Sequence, residues 1–194
     1  MKKDIILAGV GGQGILSIAA IIGYAAVESD LYLKQAEVHG MSQRGGDVQS
    51  HLRISDSVIY SDLIPTGKAD MIIAVEPMEG LRYKSYLAKE GWLLVNTKPY
   101  LNIPNYPDLE ALIGEIESLP HKISLNADKI AKELDSPRSM NMVMLGTAIP
   151  FLDLEYEKIK QGVKYIFGRK GDDIVTKNLK AVESGRELAE KNRI

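Results

Sequence analysis

The chain has 194 residues, 24 Lys+Arg against 26 Asp+Glu for a formal charge of −2, and 45% hydrophobic residues. A length of this order suits one large domain that buries roughly 70% of its unfolded surface, and the near-neutral balance speaks against a nucleic-acid partner, which would require a basic face. The sequence contains no cysteine, which excludes a disulfide frame, a cysteine-ligated zinc site and an iron–sulfur cluster held by this chain alone, and fits a reducing cytoplasm.

The basic start at Lys2 and Lys3 is interrupted by Asp4, and glycines break the apolar run that follows, so no signal peptide is expected. Residues 4–8 read as a strand buried on both faces, followed by a glycine-rich turn and a largely apolar helix over 15–29. The apolar run over 15–27 is too short for a membrane span of about 20 residues, and no membrane partner is expected. Strands are predicted over 31–38, 48–54, 70–75, 92–95 and 122–125. Pro77 opens a helix running to about residue 89, stopped by Gly91, and residues 102–107 form a loop. Further helices are expected over 108–118, 127–134, 139–152, 156–167 and 172–191. Strands alternating with helices imply an α/β, Rossmann-like fold: a mainly parallel sheet with helices on both faces and a C-terminal helical extension. We expect one domain over 1–194, with an α/β core to about 150 and the extension over about 151–194.

Gly9-Val10-Gly11-Gly12-Gln13-Gly14 matches G-x-G-x-x-G between a strand and a helix. Glycines there allow a tight turn and close backbone approach, and a helix N-terminus offers N–H groups and a positive dipole end to an anion. One reading is a stand-alone NAD(P)-dependent oxidoreductase, with Glu37, 23 residues after Gly14, on the ribose. The other is a turn that merely lets helix and strand pack closely. A second cluster, Glu37-Val38-His39-Gly40-Met41-Ser42-Gln43-Arg44-Gly45-Gly46, is too long and glycine-rich for a simple Rossmann turn. Its glycines around Ser42 and Arg44 describe an anion nest beside a guanidinium, against the plainer reading of a solvated surface loop.

The remaining features favour structural roles. His39 and His51 lack a third ligand at metal spacing, and His121 opens a strand. Glu76 either faces the ligand edge or starts a helix as a dipole-stabilising acid. Met140, Met142 and Met144 suit a packed helix. Gly171-Asp172-Asp173 starts like a thiamine-diphosphate motif but lacks its final glycine.

Taken together, the Gly9–Gly14 turn, the Ala36–Gly46 segment, Ala69-Asp70, Glu76-Pro77-Met78-Glu79-Gly80-Leu81-Arg82-Tyr83 and Asn141-Met142-Val143-Met144-Leu145-Gly146 resemble the gamma-type subunit or domain of 2-oxoacid:ferredoxin oxidoreductases. Within that family the closest resemblance is to the small (beta) subunit of the indolepyruvate enzymes. It runs from Asp4 to about Pro150, and residues 151–194 add no matching motif. The resemblance implies a subunit without catalytic residues of its own assigned, and with no cofactor held by this chain alone. A larger alpha subunit would carry thiamine diphosphate, Mg and iron–sulfur clusters and pass electrons to ferredoxin. It also implies a module that closes over the catalytic subunit and contacts coenzyme A, with Gly9, Gly11, Gly12, Gln13 and Gly14 on one wall and Ser42, Gln43, Arg44, Gly45 and Gly46 on the other. A non-catalytic docking scaffold is the third alternative.

Overall fold

A computed structural model describes residues 1–39, 45–101 and 103–192 of the chain. The fold grows from β1 (Lys2–Val10), in which Ile5, Ile6, Leu7 and Ala8 are all fully buried. Alternate side chains of a strand point to opposite faces, so Ile5 and Leu7 enter one core while Ile6 and Ala8 enter another. The other strands are β2 (Tyr32–His39), β3 (Asp47–Ser55), β4 (Ala69–Ala74), β5 (Leu87–Asn96) and β6 (Lys122–Leu125), in the order β2-β3-β1-β4-β5-β6. β1, β4, β5 and β6 run parallel. Only β3 opposes its neighbours, pairing antiparallel with both β1 and β2. The predicted mainly parallel sheet is therefore present, but β2 and β3 form a hairpin rather than a step of a βαβ unit. The connection from His39 to Asp47 is too short for a crossover, and only an antiparallel partner can be reached without one.

The helices are α1 (Ile15–Val27), α2 (Pro77–Arg82), α3 (Leu109–Glu117), α4 (Ala127–Glu133), α5 (Met140–Leu152), α6 (Tyr156–Phe167) and α7 (Asp172–Asn192). α1 and α4 to α7 cover the Ile5–Leu7 face, and the segment holding α2 and α3 covers the other. The predicted helix over 77–89 stops at Arg82, and β5 begins at Leu87, ahead of Gly91. Gly91 does not end a helix. The β4–β5 register jumps from Ala69↔Leu87 to Met71↔Trp92, and a Cβ on Gly91 would lie 2.7 Å from the Ala69 carbonyl oxygen. Glycine serves here to let a bulged strand pass close to its neighbour.

Buried polar groups are paired across elements. Asp4, 1% exposed, takes a two-pronged contact from Arg53 at 2.7 and 3.1 Å, and Arg53 also donates to the carbonyls of Ser61 and Leu63. His51 accepts the Ile64 N–H through Nδ1 at 3.0 Å; burial, and then Arg53, hold its pKa below the ordinary histidine value. His51 thus pins the loop before β4 in its neutral form.

α7 meets α5 backbone to backbone. A Cβ on Gly146 would lie 2.1 Å from the Val182 carbonyl oxygen, and one on Gly185 would lie 2.0 Å from that of Val143. Ala181, Val182 and Ala189 are fully buried in the same core as Ile5 and Leu7, so these helices take part in the main core. Met142 and Met144 are buried there too, which accords with their packing role. In a helix, Gly→Ala gains about 1 kcal/mol of propensity, while overpacking costs about 1–3 kcal/mol or more. Gly185→Ala should therefore lower the denaturant midpoint. Gly114→Ala, on exposed α3 with nothing within 4 Å of the added Cβ, should raise it. Urea unfolding of the two variants beside the parent checks both signs.

Candidate functional site

The glycine turn is fastened by one side chain. Gln13 accepts the Val10 N–H through Oε1 at 2.8 Å, donates through Nε2 to the Val75 carbonyl at 3.4 Å, and sends its own N–H to the Val10 carbonyl at 3.1 Å. The turn is thereby tied both to the end of β1 and to the residue following β4. Its glycines divide by task. A Cβ on Gly9 would lie 2.3 Å from Val75 Cγ2, and one on Gly14 would lie 2.4 Å from Asn141 Nδ2, which donates to the Gly14 carbonyl at 3.1 Å. These two serve packing. Gly14 also caps α1 at φ 82°. Gly12, at φ 99°, is exposed and nothing approaches within 4 Å of where a Cβ would stand. A left-handed conformation with open space in front of it is a cradle rather than a packing contact.

The second glycine segment arrives at the same edge. Gly40, Met41, Ser42, Gln43 and Arg44 lie outside the described residues. Gly45 follows at φ 80°, and the Gly46 carbonyl accepts the Gly11 N–H at 2.9 Å. Val10 pairs with Asp47 across the β1–β3 ladder. The hairpin's return strand thus places the end of this segment against the turn. α1 begins just beyond, at Ile15, and the first N–H groups of a helix have no intrahelical acceptor. The chemistry available is anion binding. Among the described residues no cluster of three His, Asp or Glu side chains suits a metal ion.

Glu37 does not join this arrangement. It pairs with Ser50, which pairs with Leu7, so it sits below the level of Gly9 with β3 interposed. Two strand spacings put it about 10 Å from β1 in the sheet. A ribose-binding acid belongs on the strand beside the glycine turn, and the hairpin removes that geometry.

The edge beside the turn is acidic and aromatic. Glu76 is fully buried; it caps α2 by accepting the Glu79 N–H at 2.9 Å, and it also takes the Tyr100 N–H at 3.3 Å and the Tyr106 hydroxyl. The helix-start reading of Glu76 is the one the geometry carries. Glu79, 1% exposed, grips Arg82 at 2.8 and 3.2 Å. Burial pushes its carboxyl up, against the opposing pull of Arg82. Tyr83 donates to Asp47 at 3.0 Å, and burial followed by that hydrogen bond pushes its phenol well above the usual value. At the end of β5, buried Asn96 donates to the Val75 carbonyl at 3.1 Å and to Asp128 at 2.9 Å, and accepts the Ala127 N–H at 3.0 Å. Sequence reasoning quoted Tyr83 in a motif without giving it a role, and passed over Asp47, Asn96 and Tyr106. For Asp47 and Asn96 a signal was present: both are polar residues at strand ends on the edge where open α/β sheets bind ligands.

The Pyruvate ferredoxin/flavodoxin oxidoreductase family model matches residues 4–188, beyond the Pro150 limit of the motif resemblance. The chain is 36% identical over 198 aligned residues to the indolepyruvate oxidoreductase subunit IorB of Archaeoglobus fulgidus, covering 97% of this chain and 96% of that protein. The gamma subunit of a keto/oxoacid ferredoxin oxidoreductase from Geobacter sulfurreducens shares the fold at a TM-score of 0.71 and 23% identity, covering 97% of this chain and 99% of that one. The 2-oxoglutarate:ferredoxin oxidoreductase from Magnetococcus marinus, solved with 2-oxoglutarate, coenzyme A and succinyl-CoA bound, superimposes at a TM-score of 0.78 and 23% identity, covering 98% of this chain and 31% of that one.

Gln13→Ala should destabilise the chain by about 1–3 kcal/mol, because it removes two hydrogen bonds and leaves the Val10 N–H without its acceptor. That corresponds to a fall in Tm of about 2–4 °C per kcal/mol in a chain of this size. Calorimetry checks the stability. Faster amide exchange at Val10 and Gly11 checks that the loss is local to the turn.

Proposed function

The chain belongs to the pyruvate ferredoxin/flavodoxin oxidoreductase family and is an oxidoreductase subunit of the 2-oxoacid:ferredoxin kind, and on that premise we propose that it is the small (beta) subunit of an indolepyruvate-type enzyme. In this reading it pairs with a larger alpha subunit that holds thiamine diphosphate, Mg and iron–sulfur clusters. The pair decarboxylates the 2-oxoacid oxidatively to an acyl-CoA and passes the electrons to ferredoxin. Its near full-length match to an indolepyruvate oxidoreductase subunit supports the substrate class.

One observation carries the role of the site: the Gly11 N–H to Gly46 carbonyl hydrogen bond, which brings the ends of two glycine-rich segments together at the C-terminal sheet edge. The open cradle at Gly12 and the start of α1 suit the phosphates of coenzyme A. Gly9 and Gly14 shape the turn, Gln13 holds it in place, and Arg44, with Ser42, Gln43, Gly45 and Gly46, supplies the opposing wall and its positive charge. The residues of this chain do not suit the other cofactors. It has no cysteine for a cluster. Asp172 opens α7 and Asp173 is engaged by Lys177 at 2.7 Å, an arrangement for a helix start rather than for Mg. We assign those groups to the partner.

The same reading makes residues 1–194 one gamma-type domain, since α7 contributes to the core that β1 begins, and places it in the cytoplasm. Among the described residues no helix is long and apolar enough to cross a membrane.

Purified alone, the chain should be colourless and should not oxidise a 2-oxoacid when thiamine diphosphate, Mg and coenzyme A are supplied. Turnover with a dye acceptor should appear on titration with the alpha subunit and stop rising at a stoichiometric end point. Activity of the lone chain would refute the subunit reading. In the assembled enzyme, Arg44→Ala should weaken coenzyme A binding by about 1.5–3 kcal/mol, raising its Michaelis constant roughly 10–100-fold. An unchanged constant would remove Arg44 from the site.

A further inference from the structure

Beside the glycine turn lies a cavity that the proposed function does not use. It has a volume of about 290 Å³ and is bounded by Ser17 on the first turn of α1, by the segment from Ser136 into α5, and by the start of α7. Asn141, whose amide nitrogen holds the Gly14 carbonyl, is shared between turn and cavity. The size is at the lower limit for ligand pockets, ~300 Å³, which suits a small charged group with its waters better than an extended cofactor.

The lining is cationic. Arg138, Lys170 and Lys177 contribute, and none of the described lining residues is a carboxylate. Lys177 is committed to Asp173 at 2.7 Å. Lys170 stands 5.2 Å over the Phe167 ring and Arg138 has no ion pair or hydrogen bond among the described residues, so two positive charges are left to a ligand.

The buried wall adds direction. The Ser139 hydroxyl donates to Asn178 Oδ1 at 2.8 Å, so the Ser136 hydroxyl, 2.6 Å from it, must be the donor of that second contact. Both serine protons then run toward the Asn178 carbonyl oxygen. Asn178 is 5% exposed, lines the cavity, and its Nδ2 has no hydrogen-bond acceptor among the described residues. The Nδ2 atom is not shut off from solvent and opens to the cavity; a donor held in place by its own carbonyl, beside two cations without a carboxylate partner among the described residues, is a directed anion contact. The Ser139 hydroxyl does not cap α5, although Ser139 stands at the N-cap position.

We propose that this cavity is a second anion site that binds a phosphate group, with Arg138 and Lys170 supplying charge and Asn178 Nδ2 donating the directed hydrogen bond. The group is either inorganic phosphate or the phosphate of an ester. The site stands apart from the coenzyme A reading of the glycine turn and does not depend on it.

Inorganic phosphate titrated into the full chain at constant ionic strength, followed by calorimetry, tests this. Saturable binding is expected, weakened at least 10-fold in the Arg138→Gln/Lys170→Gln double variant. Both substituted residues are exposed, and the unfolding midpoint of the double variant in phosphate-free buffer establishes that it is folded. Competition by a small phosphate monoester such as glycerol phosphate, itself weakened in the double variant, would identify the source as an ester, and lack of competition as free phosphate; either result keeps the site. Absence of saturable binding, or equal affinity in the double variant, would overturn the proposal. None of these results bears on the reconstitution assay that tests the subunit reading.

Discussion

The Val75 carbonyl is where the ligand edge is held together. It accepts Gln13 Nε2 from the glycine turn and Asn96 Nδ2 from the end of β5. Gln13 in turn satisfies the Val10 N–H, and Asn96 satisfies the Ala127 N–H that begins α4. Three strand ends and two helix starts are thus located by one acceptor with two lone pairs. The next residue, Glu76, continues the pattern by capping α2 and fixing Tyr100 and Tyr106. With so many groups referred to one short segment, the turn has little freedom to adopt another shape, and a preorganised turn loses less entropy when an anion arrives.

The antiparallel β3 shapes the rest of the edge. Inserted between β1 and β2, it moves the predicted ribose acid away from the turn and brings Gly46 and Asp47 to it. A doubly wound nucleotide fold and this one therefore share a glycine signature and differ in what stands opposite it. Tyr83 joins Asp47 to the segment after α2, so the hairpin and the α2 region are coupled through a partly buried hydrogen bond whose phenol is held protonated.

Much of this was legible before the structure. The helix over Tyr156–Phe167 has the predicted bounds, and most strands lie within a residue or two of expectation, because buried runs and caps act locally. What escaped is non-local. The hairpin could have been read from the short spacing between the strands predicted over 31–38 and 48–54, but β3's place beside β1 depends on pairing energies that no window of sequence contains. The segment over 83–90 misled because a bulge and a one-turn helix leave no periodic trace. At the site the glycines were evident. Tyr106 was not, since it matters through a partner thirty residues away, and for Asn96 the strand-end position was visible but its partners, more than twenty residues away, were not.

The crossing of α5 and α7 has a mechanical consequence. Where side chains separate two helices, rotamer changes let one slide past the other. Here Gly146 and Gly185 bring main chain against main chain, and that compliant layer is missing. α5 and α7 must translate as a single rigid body. Asn141 on α5 is bonded to Gly14, so any displacement of that body pulls on the entrance to α1. Gly171 lies where the chain enters α7, and Gly14 is where Asn141 holds the entrance to α1; both have positive φ and the torsional latitude to absorb such a pull. A force applied to the last helix of the chain would be felt at the glycine turn as a change in backbone torsion.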